Sequence, residues 1–558
     1  MAKKVILLYV GEIMSNKILK GTAMLTGAAF LSKFLGMIYI IPFNEFVGPQ
    51  GGALYYYAYN PYTILISIST VGVPLAVSKI VSKYNSLGHF DIGLRIFRAS
   101  LLLMAVTGFL AFATLYFSSG WLAERFLYSE EYNHGNQVED VKQVIQMVSF
   151  ALLIIPGMSV VRGFFQGNQT MEPTAISQVV EQIVRIAFVL ISAFVIIKLF
   201  HGSVVLAVSF ATFAALIGAL ASCIILFIFW KRKRQQLREK VKISNRKLDI
   251  STKSLFYELF SYAGPFVLVG IAIPLYQTVD SFTFNRAMVV SGYEKIAELS
   301  LGTINLYGHK LISIPVTLAT GLSLTIVPAL TESFTKQNRK KLMKEINQSL
   351  QIVLLLVIPA VVGLSTLAYE AYGSLYGMSN LEITGSLLAW YAPVALLFAL
   401  YTVTAAILQG INEQRFALIS LTAGFLIKIL LNSVLIHTFA GKGSIFATGL
   451  AVGVAVTLNL WKMKRVLSFS YIQTGKRALF MVIFSLMMGA TIIGIKYLLG
   501  VFIPYEESRL AATIMLFIGI IIGAFVYLFL AYKSTLIDHV LDNTNILDRF
   551  RRRKRATR

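Results

Sequence analysis

The chain has 558 residues, of which 56% are hydrophobic and 14% are charged, and its mean hydropathy is +0.72. This composition excludes a soluble globular domain, because apolar runs of about 18 or more residues recur along the chain and each can cross the hydrocarbon core of a bilayer. The single cysteine, Cys223, excludes an internal disulfide and a cysteine metal cluster.

Hydropathy predicts an all-α polytopic membrane protein with fourteen transmembrane helices. In chain order, the predicted spans cover residues 22–44, 61–84, 95–119, 143–165, 173–200, 203–230, 255–284, 301–330, 348–376, 385–409, 415–439, 443–463, 478–500 and 509–532. An even number of spans places both chain ends on the same side of the membrane.

The formal net charge of +24 is concentrated in alternate loops. Residues 231–253, residues 335–344 and the tail at 549–558 are all rich in lysine and arginine, and all fall on one side. Such a distribution is the positive-inside pattern, which assigns that side and both termini to the cytoplasm. The positive charge therefore needs no nucleic-acid partner to explain it.

The basic stretch at 231–253 divides the spans into two sets of six and leaves a final pair. The predicted domains are a cytoplasmic N-terminus (1–21), an N-lobe (22–230), a linker (231–253), a C-lobe (254–463), a helix pair (478–532) and a basic cytoplasmic tail (533–558). Residues 164–186 align without a gap with residues 407–429, which places Arg185 on Lys428. Internal repeats of this kind are common in transporters.

Ionisable residues inside the predicted spans indicate a functional cavity. They are Lys33, Glu181, Arg185, Asp280, His309, Lys310 and Lys428. Apart from His309, which can be neutral, these charges would cost on the order of 15 to 20 kcal/mol if they faced lipid. We therefore expect them to face inward, into a water-filled cavity shared by both lobes. The set has an excess of about two positive charges, which favours an anion, and phosphate groups are the usual choice.

Structural alternatives remain for several of these residues. Glu181 and Arg185 have the spacing and order of a salt bridge within one helix, and Asp280 could do no more than neutralise Lys310 or Lys428. The tyrosines of YYYAYNPY (55–62) are typical of an interfacial aromatic belt, with a sugar-stacking surface or an outer gate as the alternative.

No enzyme motif occurs in the sequence. It contains no Walker loop, no HExxH and no GxSxG, and its six histidines are too few to suggest a metal site. We expect a transporter without a cofactor, driven by an ion gradient, by the membrane potential or by substrate supply.

Several segments resemble a known superfamily. The 6+6+2 arrangement of spans, the QGNQ link (166–169), SKFLG (32–36) and LYGHKLISIP (306–315) are similar to the multidrug/oligosaccharidyl-lipid/polysaccharide exporter superfamily. Residues 14–535 most resemble its Gram-positive branch, which contains stage V sporulation protein B and the MurJ-type lipid II flippases. The resemblance implies a MATE-like fold in the bacterial plasma membrane. It also implies a flippase that moves an undecaprenyl-diphosphate-linked peptidoglycan precursor to the outer leaflet by alternating access.

The resemblance also implies the site residues. Lys33 and Lys310 match basic positions of the family in spans 1 and 8, and we expect them to bind substrate together with Arg185 and Lys428. Glu181 and Asp280 would be the cavity acids, with a role in coupling. The second basic position and the acid that the family has later in span 1 are replaced here by Tyr39 and Ile40.

The resemblance also offers a candidate monovalent cation site, since some relatives bind sodium between these spans and Asp280 and Asn432 fit that pattern. Lys428 falls among these residues, and its tethered ammonium could replace the ion. Coupling to a monovalent cation and coupling to the membrane potential therefore both stay open.

Other functions fit parts of this pattern. The cargo could be another lipid-linked polysaccharide unit or a spore-cortex precursor. A cation or drug antiporter would need the opposite cavity charge, and a non-transporting scaffold for wall-synthesis enzymes would need no buried charge at all. The expected partners are a lipid-linked glycan diphosphate, membrane lipids and the cell-wall synthesis machinery, with the chain acting as a monomer.

Overall fold

The computed structural model describes residues 24–541, except for 26, 71, 128–134, 243–250, 252, 258 and 260–270. The described residues form helices joined by short turns, and no strand occurs among them. Eleven helices in this part of the chain are long and apolar enough to cross a membrane. The all-α polytopic prediction is therefore confirmed. The predicted N-terminus (1–21), the end of the tail and parts of spans 1, 2 and 7 lie outside the described residues.

The chain packs as two units, Met1–Arg286 and Ala287–Arg558. The helices of the N-terminal unit are α1 (Gly27–Ile38), α2 (Ile40–Thr70), α3 (Gly72–Ser86), α4 (Phe90–Phe117), α5 (Ser119–Phe126), α6 (Val138–Ser149), α7 (Ile155–Gly167), α8 (Glu172–Phe194), α9 (Val204–Lys242) and most of α10 (Ala272–Val290). A 3-10 segment, Phe150–Leu153, joins α6 to α7, and a π-helical segment, Val195–Leu199, extends α8.

The described residues of the C-terminal unit also form helices joined by short turns. Its helices are α11 (Glu294–Gly302), α12 (His309–Thr335), α13 (Arg339–Thr366), α14 (Ala368–Tyr376), α15 (Leu381–Tyr391), α16 (Val394–Gly410), α17 (Gln414–Phe439), α18 (Gly441–Leu467), α19 (Ile472–Gly500), α20 (Arg509–Lys533) and α21 (Leu536–Leu541). A π-helical segment, Thr303–Gly308, joins α11 to α12.

Helix α2 breaks sharply at Gly48. This residue has φ 65°, which only glycine adopts readily, and Pro49 follows it. Proline suits the first turn of a helix because its missing N–H would have no partner there. The connection between the predicted spans 22–44 and 61–84 therefore contains a tight break between two helical stretches.

Helix α9 continues well past the predicted span. It ends at Lys242, so the first half of the predicted linker (231–253) is helical, and most of the second half lies outside the described residues. The boundary between the two packed units falls at Arg286, within α10. The lobe boundaries inferred from charge stay a prediction.

The repeat suggested by the sequence is visible in the backbone. Gln169 and Asn412, which share one alignment position, have φ values of 57° and 64°. Each unit also closes the preceding helix with the same hydrogen bond. The Thr170 amide donates to the Phe165 carbonyl at 3.0 Å, and the Glu413 amide donates to the Leu408 carbonyl at 2.7 Å. The aligned segments therefore fold alike, which supports an internal duplication.

Each unit has its own packed core. In the N-terminal unit, α3, α4 and α7 meet around Ile80, Ile96 and Phe164. In the C-terminal unit, α13, α19 and α20 meet around Met488 and Tyr527. Because lipid tails are as apolar as these side chains, close packing and buried polar contacts hold such helices together more than hydrophobic burial does.

Candidate functional site

Lys33 lies on α1 with its side chain exposed. The adjacent Ser32 hydroxyl donates to the Gln178 carbonyl on α8 at 3.4 Å. Gly36, one turn further on, is buried, and a Cβ there would meet the Gln182 amide at 3.1 Å. Helix α1 therefore packs on α8 through Ser32 and Gly36, and the exposed Lys33 side chain takes no part in this contact. Its predicted part in substrate binding stays a prediction.

Arg185 on α8 is oriented by a cluster of tyrosines. Its Nη1 donates to the Tyr59 hydroxyl at 3.0 Å. The Tyr59 ring stacks on Tyr55 with 4.9 Å between centroids, and the Tyr55 and Tyr39 hydroxyls are hydrogen-bonded at 3.1 Å. The resemblance implies a basic residue at position 39. Tyr39 instead joins, through Tyr55, the tyrosine cluster that orients Arg185.

The tyrosines of residues 55–62 lie inside the N-terminal unit. Tyr55, Tyr56, Tyr57 and Tyr62 are between 0 and 4% exposed. An interfacial belt needs rings that reach the lipid headgroups. The aromatic-belt interpretation is therefore wrong for these four residues, and the sugar-stacking or gate role stays a prediction.

Glu181 forms an ion pair with Arg162 of α7, with 2.6 Å between Nη2 and Oε2. The same guanidinium donates from Nε to the Ser177 hydroxyl at 3.0 Å and from Nη2 to the Ser222 hydroxyl at 2.8 Å. These contacts join α7, α8 and α9 through one partly buried cation. The predicted pairing of Glu181 with Arg185 omitted this partner.

Arg162 is a cation that the sequence analysis missed. It lies within the predicted span 143–165, and the criterion that selected Arg185 would also have selected it. Adding Arg162 raises the excess of the intramembrane set from two positive charges to three, which strengthens the preference for an anion.

Asp280 lies on α10 and is 2% exposed. Residues on either side of it bond to α2 within the N-terminal unit. The Tyr56 hydroxyl donates to the Gln277 carbonyl at 2.7 Å, and the Asn60 amide donates to the Ser281 hydroxyl at 2.6 Å. Asp280 is thus buried between two hydrogen bonds that join α10 to α2, and the sequence did not reveal these contacts. Its predicted interactions with Lys310 and Lys428 stay predictions.

Lys310 lies two residues after the π-helical segment Thr303–Gly308, whose six residues are all buried. The preceding residue, His309, is hydrogen-bonded through Nδ1 to the Tyr391 hydroxyl of α15 at 3.1 Å. Lys310 itself is partly exposed. Single π turns inside helices are frequent at functional sites. This one sets the direction in which the Lys310 side chain projects from α12.

An apolar groove of about 400 Å³ lies in the C-terminal unit. Leu311, Ile314 and Pro315, which follow Lys310 on α12, line it together with residues of α13, α19 and α20. Among the described residues that line it, Tyr527 alone has a side-chain oxygen, and this hydroxyl donates to the Leu355 carbonyl at 2.9 Å. The groove can therefore take a hydrocarbon chain without leaving a polar group unsatisfied.

Lys428 on α17 has no exposed surface. Its ammonium donates to the Ser444 carbonyl at 3.0 Å, to the Ser444 hydroxyl at 3.2 Å and to the Thr448 hydroxyl at 2.7 Å, all on α18. The pair α17 and α18 therefore holds Lys428 as an internal cation. Its predicted part in substrate binding stays a prediction.

The possible ion site was predicted to use Asn432, which is also fully buried on α17, together with Asp280 of the N-terminal unit. The Lys428 ammonium lies one helical turn from Asn432 and occupies the oxygens that α18 offers. A second cation beside it would be repelled, so the C-terminal residues fit a bound sodium ion poorly. Among the described residues, no group of three or more histidine, cysteine or acidic side chains could hold a metal ion.

A second buried ion pair was also missed. Lys496 of α19 lies 2.6 Å from Glu370 of α14, whose side chain is 0% exposed. Arg509 of α20 donates from Nε to the Ser374 carbonyl at the end of α14, at 2.9 Å. The final helix pair is therefore fastened to α14 by charge-assisted contacts, and the groove wall that it forms is held in place.

Comparison with known proteins gives consistent matches. The family model described as Polysaccharide biosynthesis protein matches residues 18–334. The lipid II flippase MurJ of Bacillus subtilis (strain 168) is 46% identical over 530 residues, which cover 95% of this chain and 97% of that protein.

Two solved structures share the fold. The lipid II flippase MurJ in an inward closed conformation matches with a TM-score of 0.66 and 18% identity, over 93% of this chain and 100% of that one. An inward-facing multidrug resistance MATE family transporter of the MOP superfamily matches with a TM-score of 0.65 and 16% identity, over 77% of this chain and 94% of that one. At these identities the two structures establish the fold alone, which is that of a membrane transporter.

Proposed function

Since this chain belongs to the polysaccharide biosynthesis protein family, we propose that it is a flippase that moves lipid II from the inner to the outer leaflet. The 46% identity to the lipid II flippase MurJ of Bacillus subtilis, over nearly the full length of both proteins, supports this cargo. The chain is a multi-pass protein of a bacterial membrane and a transporter, not an enzyme.

The position of Lys310 on α12, beside helix neighbours that line the apolar groove, carries the proposal. Lys310 offers a positive charge. Leu311, the next residue, and Ile314, one helical turn after Lys310, line the groove. A ligand that suits this arrangement has an anionic head joined to a long hydrocarbon tail. A polyprenyl diphosphate has this chemistry, and a small lipophilic cation does not.

Lys33, Arg185 and Lys310 attract the diphosphate in this proposal, with Lys428 contributing from within its helix pair. The two lysines act as point charges, because an ammonium lacks the planar fork with which arginine grips a phosphate. Arg185 keeps that fork and is held in one orientation by Tyr59. Glu181 and Asp280 limit the net charge, so that the diphosphate can also be released.

Transport proceeds by alternating access, in which the cations are exposed first to the cytoplasmic and then to the outer side. The prenyl tail stays in apolar surroundings and occupies the groove. The positive-inside rule supports cytoplasmic termini. The transporter works as a monomer and without a cofactor in this proposal, and contact with the wall-synthesis machinery is a further hypothesis.

The membrane potential is the energy source that we favour. Moving a cation-lined site that carries a diphosphate would couple transport to the potential. The Lys428 ammonium beside Asn432 argues against a separate monovalent ion at that position.

The decisive experiment is complementation of cells depleted of their lipid II flippase. We expect Lys33→Ala and Lys310→Ala to insert normally and to fail, while Lys33→Arg and Lys310→Arg keep function because the charge is retained. Accessibility labelling of lipid II in the outer leaflet should fall in the same order. Lys142→Ala, which removes an exposed lysine next to Glu139, is the control. Normal growth and labelling with both lysines changed to alanine would refute the proposal.

The fold shared with a multidrug transporter favours one second candidate, a drug antiporter. Ethidium efflux by cells that express this chain would support it. The excess of positive charge inside the membrane argues for the opposite result, since lipophilic cations would be repelled.

A further inference from the structure

A separate polar pocket lies in the C-terminal unit, at the end where α13 and α19 begin. Its volume is about 460 Å³. Its polar lining comes from the start of α13, the turn after α18 and the start of α19, and consists of Arg339, Asn347, Ser468, Ser470, Gln473 and Lys476. The pocket shares no lining residue with the apolar groove.

Charge makes this pocket suitable for an anion. Arg339 and Lys476 are both exposed, and none of the described residues that line the pocket is acidic. Arg339 Nη2 donates to the Leu467 carbonyl at 3.1 Å, which orients the guanidinium and leaves its other N–H groups for a ligand. The Asn347 amide oxygen accepts from the Thr474 hydroxyl at 2.7 Å, so its NH₂ group stays available to donate.

The pocket lies on the side that the positive-inside rule assigns to the cytoplasm. The basic segment at residues 335–344 begins α13 here, and neither Lys33 nor Lys310 belongs to this region of the chain. Basic pockets between helices at this membrane surface are typical sites for phospholipid headgroups. The transport mechanism makes no use of this charge.

Apolar residues at the pocket indicate a lipid rather than a soluble ion. Met343, Phe469 and Ile472 complete the lining. Ile472, Leu479 and Leu486 recur every seven residues on α19 and are 71%, 60% and 60% exposed. They form an apolar stripe that runs about 20 Å from the pocket along the helix, which is enough to cover an acyl chain.

We propose that this pocket binds the phosphodiester headgroup of an anionic membrane phospholipid. Arg339 and Lys476 contact the phosphate, Asn347 and Gln473 hydrogen-bond to the headgroup, and one acyl chain lies along the stripe on α19. The bound lipid joins α13 to α19, so it stabilises the attachment of the final helix pair. This site is independent of the transported cargo and stands even if that cargo is not lipid II.

Lipid retention by the full-length purified chain tests the proposal. The protein is titrated with phosphatidylglycerol or phosphatidylcholine in detergent, and the bound lipid is counted by native mass spectrometry. The double variant Arg339→Gln with Lys476→Gln should bind phosphatidylglycerol at least about tenfold more weakly, since both charge-assisted contacts to the phosphate are lost. Lys340→Gln, which removes a charge one residue from Arg339 without touching the pocket, should bind as the wild type does.

Three results would overturn the assignment. They are wild-type affinity in the double variant, equal binding of phosphatidylcholine, and displacement of phosphatidylglycerol by millimolar inorganic phosphate, which would indicate a soluble anion instead. Because Arg339 also contacts the Leu467 carbonyl, Lys476→Glu is measured separately. This variant leaves that hydrogen bond intact and should weaken phosphatidylglycerol binding further through repulsion.

Discussion

The Glu181 carboxylate lies 2.6 Å from the Arg162 guanidinium, and this pair joins two neighbouring helices inside the N-terminal unit. Since Arg162 neutralises this carboxylate, Arg185 relies chiefly on the Tyr59 hydroxyl for its orientation. The N-terminal unit therefore holds Arg162 and Arg185 through different partners, and the part of Arg185 in substrate binding stays a prediction.

Loss of the Glu181 carboxylate should destabilise the fold. Glu181→Gln leaves the partly buried Arg162 guanidinium without its counter-charge, at a cost of about 2 kcal/mol, below that of a fully buried pair. Thermal unfolding in detergent measures the effect. The control is Glu139→Gln, which breaks an exposed pair with Lys142 and should cost less than about 1 kcal/mol. Equal losses in the two variants would contradict the structural role of Arg162.

The Tyr59 hydroxyl should matter for transport more than for folding. Tyr59→Phe keeps the stacked ring but removes the acceptor that holds Arg185, so we expect lipid II exposure in the outer leaflet to fall several-fold. The unfolding temperature should change little, because one hydrogen bond contributes only about 1 kcal/mol. Tyr497→Phe, at a position that is 82% exposed, is the matched control. A variant with full transport would separate Arg185 from substrate binding.

Filling the apolar groove should impair transport selectively. Ala524 lines the groove, and Ala524→Phe would occupy space that we assign to the prenyl tail. Ile521→Phe adds an aromatic ring on the same helix at a position that is 66% exposed and outside the groove. Reconstituted transport should fall for long-tailed substrates in the first variant only. An equal effect on a substrate with a short tail would show that the tail does not use the groove.

The pair Glu370 and Lys496 should show strong coupling. Lys496→Ala leaves a fully buried carboxylate without its partner, at a cost of about 3 to 5 kcal/mol. The double variant Glu370→Met with Lys496→Met should recover most of this loss, because a well-packed apolar pair can replace a buried ion pair. A double-mutant cycle measured by unfolding gives the coupling energy. Additive losses would mean that the two side chains act independently.

Sodium should not stabilise the wild-type chain. The Lys428 ammonium already occupies the oxygens of Ser444 and Thr448, so exchanging sodium for choline should leave the unfolding temperature unchanged. Lys428→Ala should cost about 2 to 4 kcal/mol, because it opens a cavity and leaves acceptors unsatisfied. A sodium-dependent rise in the wild-type unfolding temperature would reopen the ion site at Asn432.

Hydropathy was sufficient to predict the eleven long apolar helices of the described residues, because hydropathy depends on the composition of whole segments. The spans at 385–409 and 509–532 correspond closely to Leu381–Gly410 and Arg509–Lys533. The repeat was also visible, since the turns at Gln169 and Asn412 depend on local backbone preferences that the aligned segments share.

Side-chain partners were beyond the reach of the sequence. The spacing of Glu181 and Arg185 indicates that the two can meet on one helix, but the structure gives Glu181 a partner on α7, which depends on tertiary packing. The tyrosines near Asn60 were assigned to the membrane interface because their composition is typical of it. Their burial depends on how α2 packs against the other helices of the unit, and composition alone does not reveal that packing.

The π turn at Thr303–Gly308 has a consequence for the evolution of this chain. A π turn carries one residue more than an α turn, and each residue advances the helix by about 100°. Deleting one residue there would restore regular α-helix and swing the Lys310 ammonium around the axis by about that angle. A homologue without the insertion should therefore have its cation at a neighbouring position. The register of this helix thus helps to determine the direction of the Lys310 ammonium.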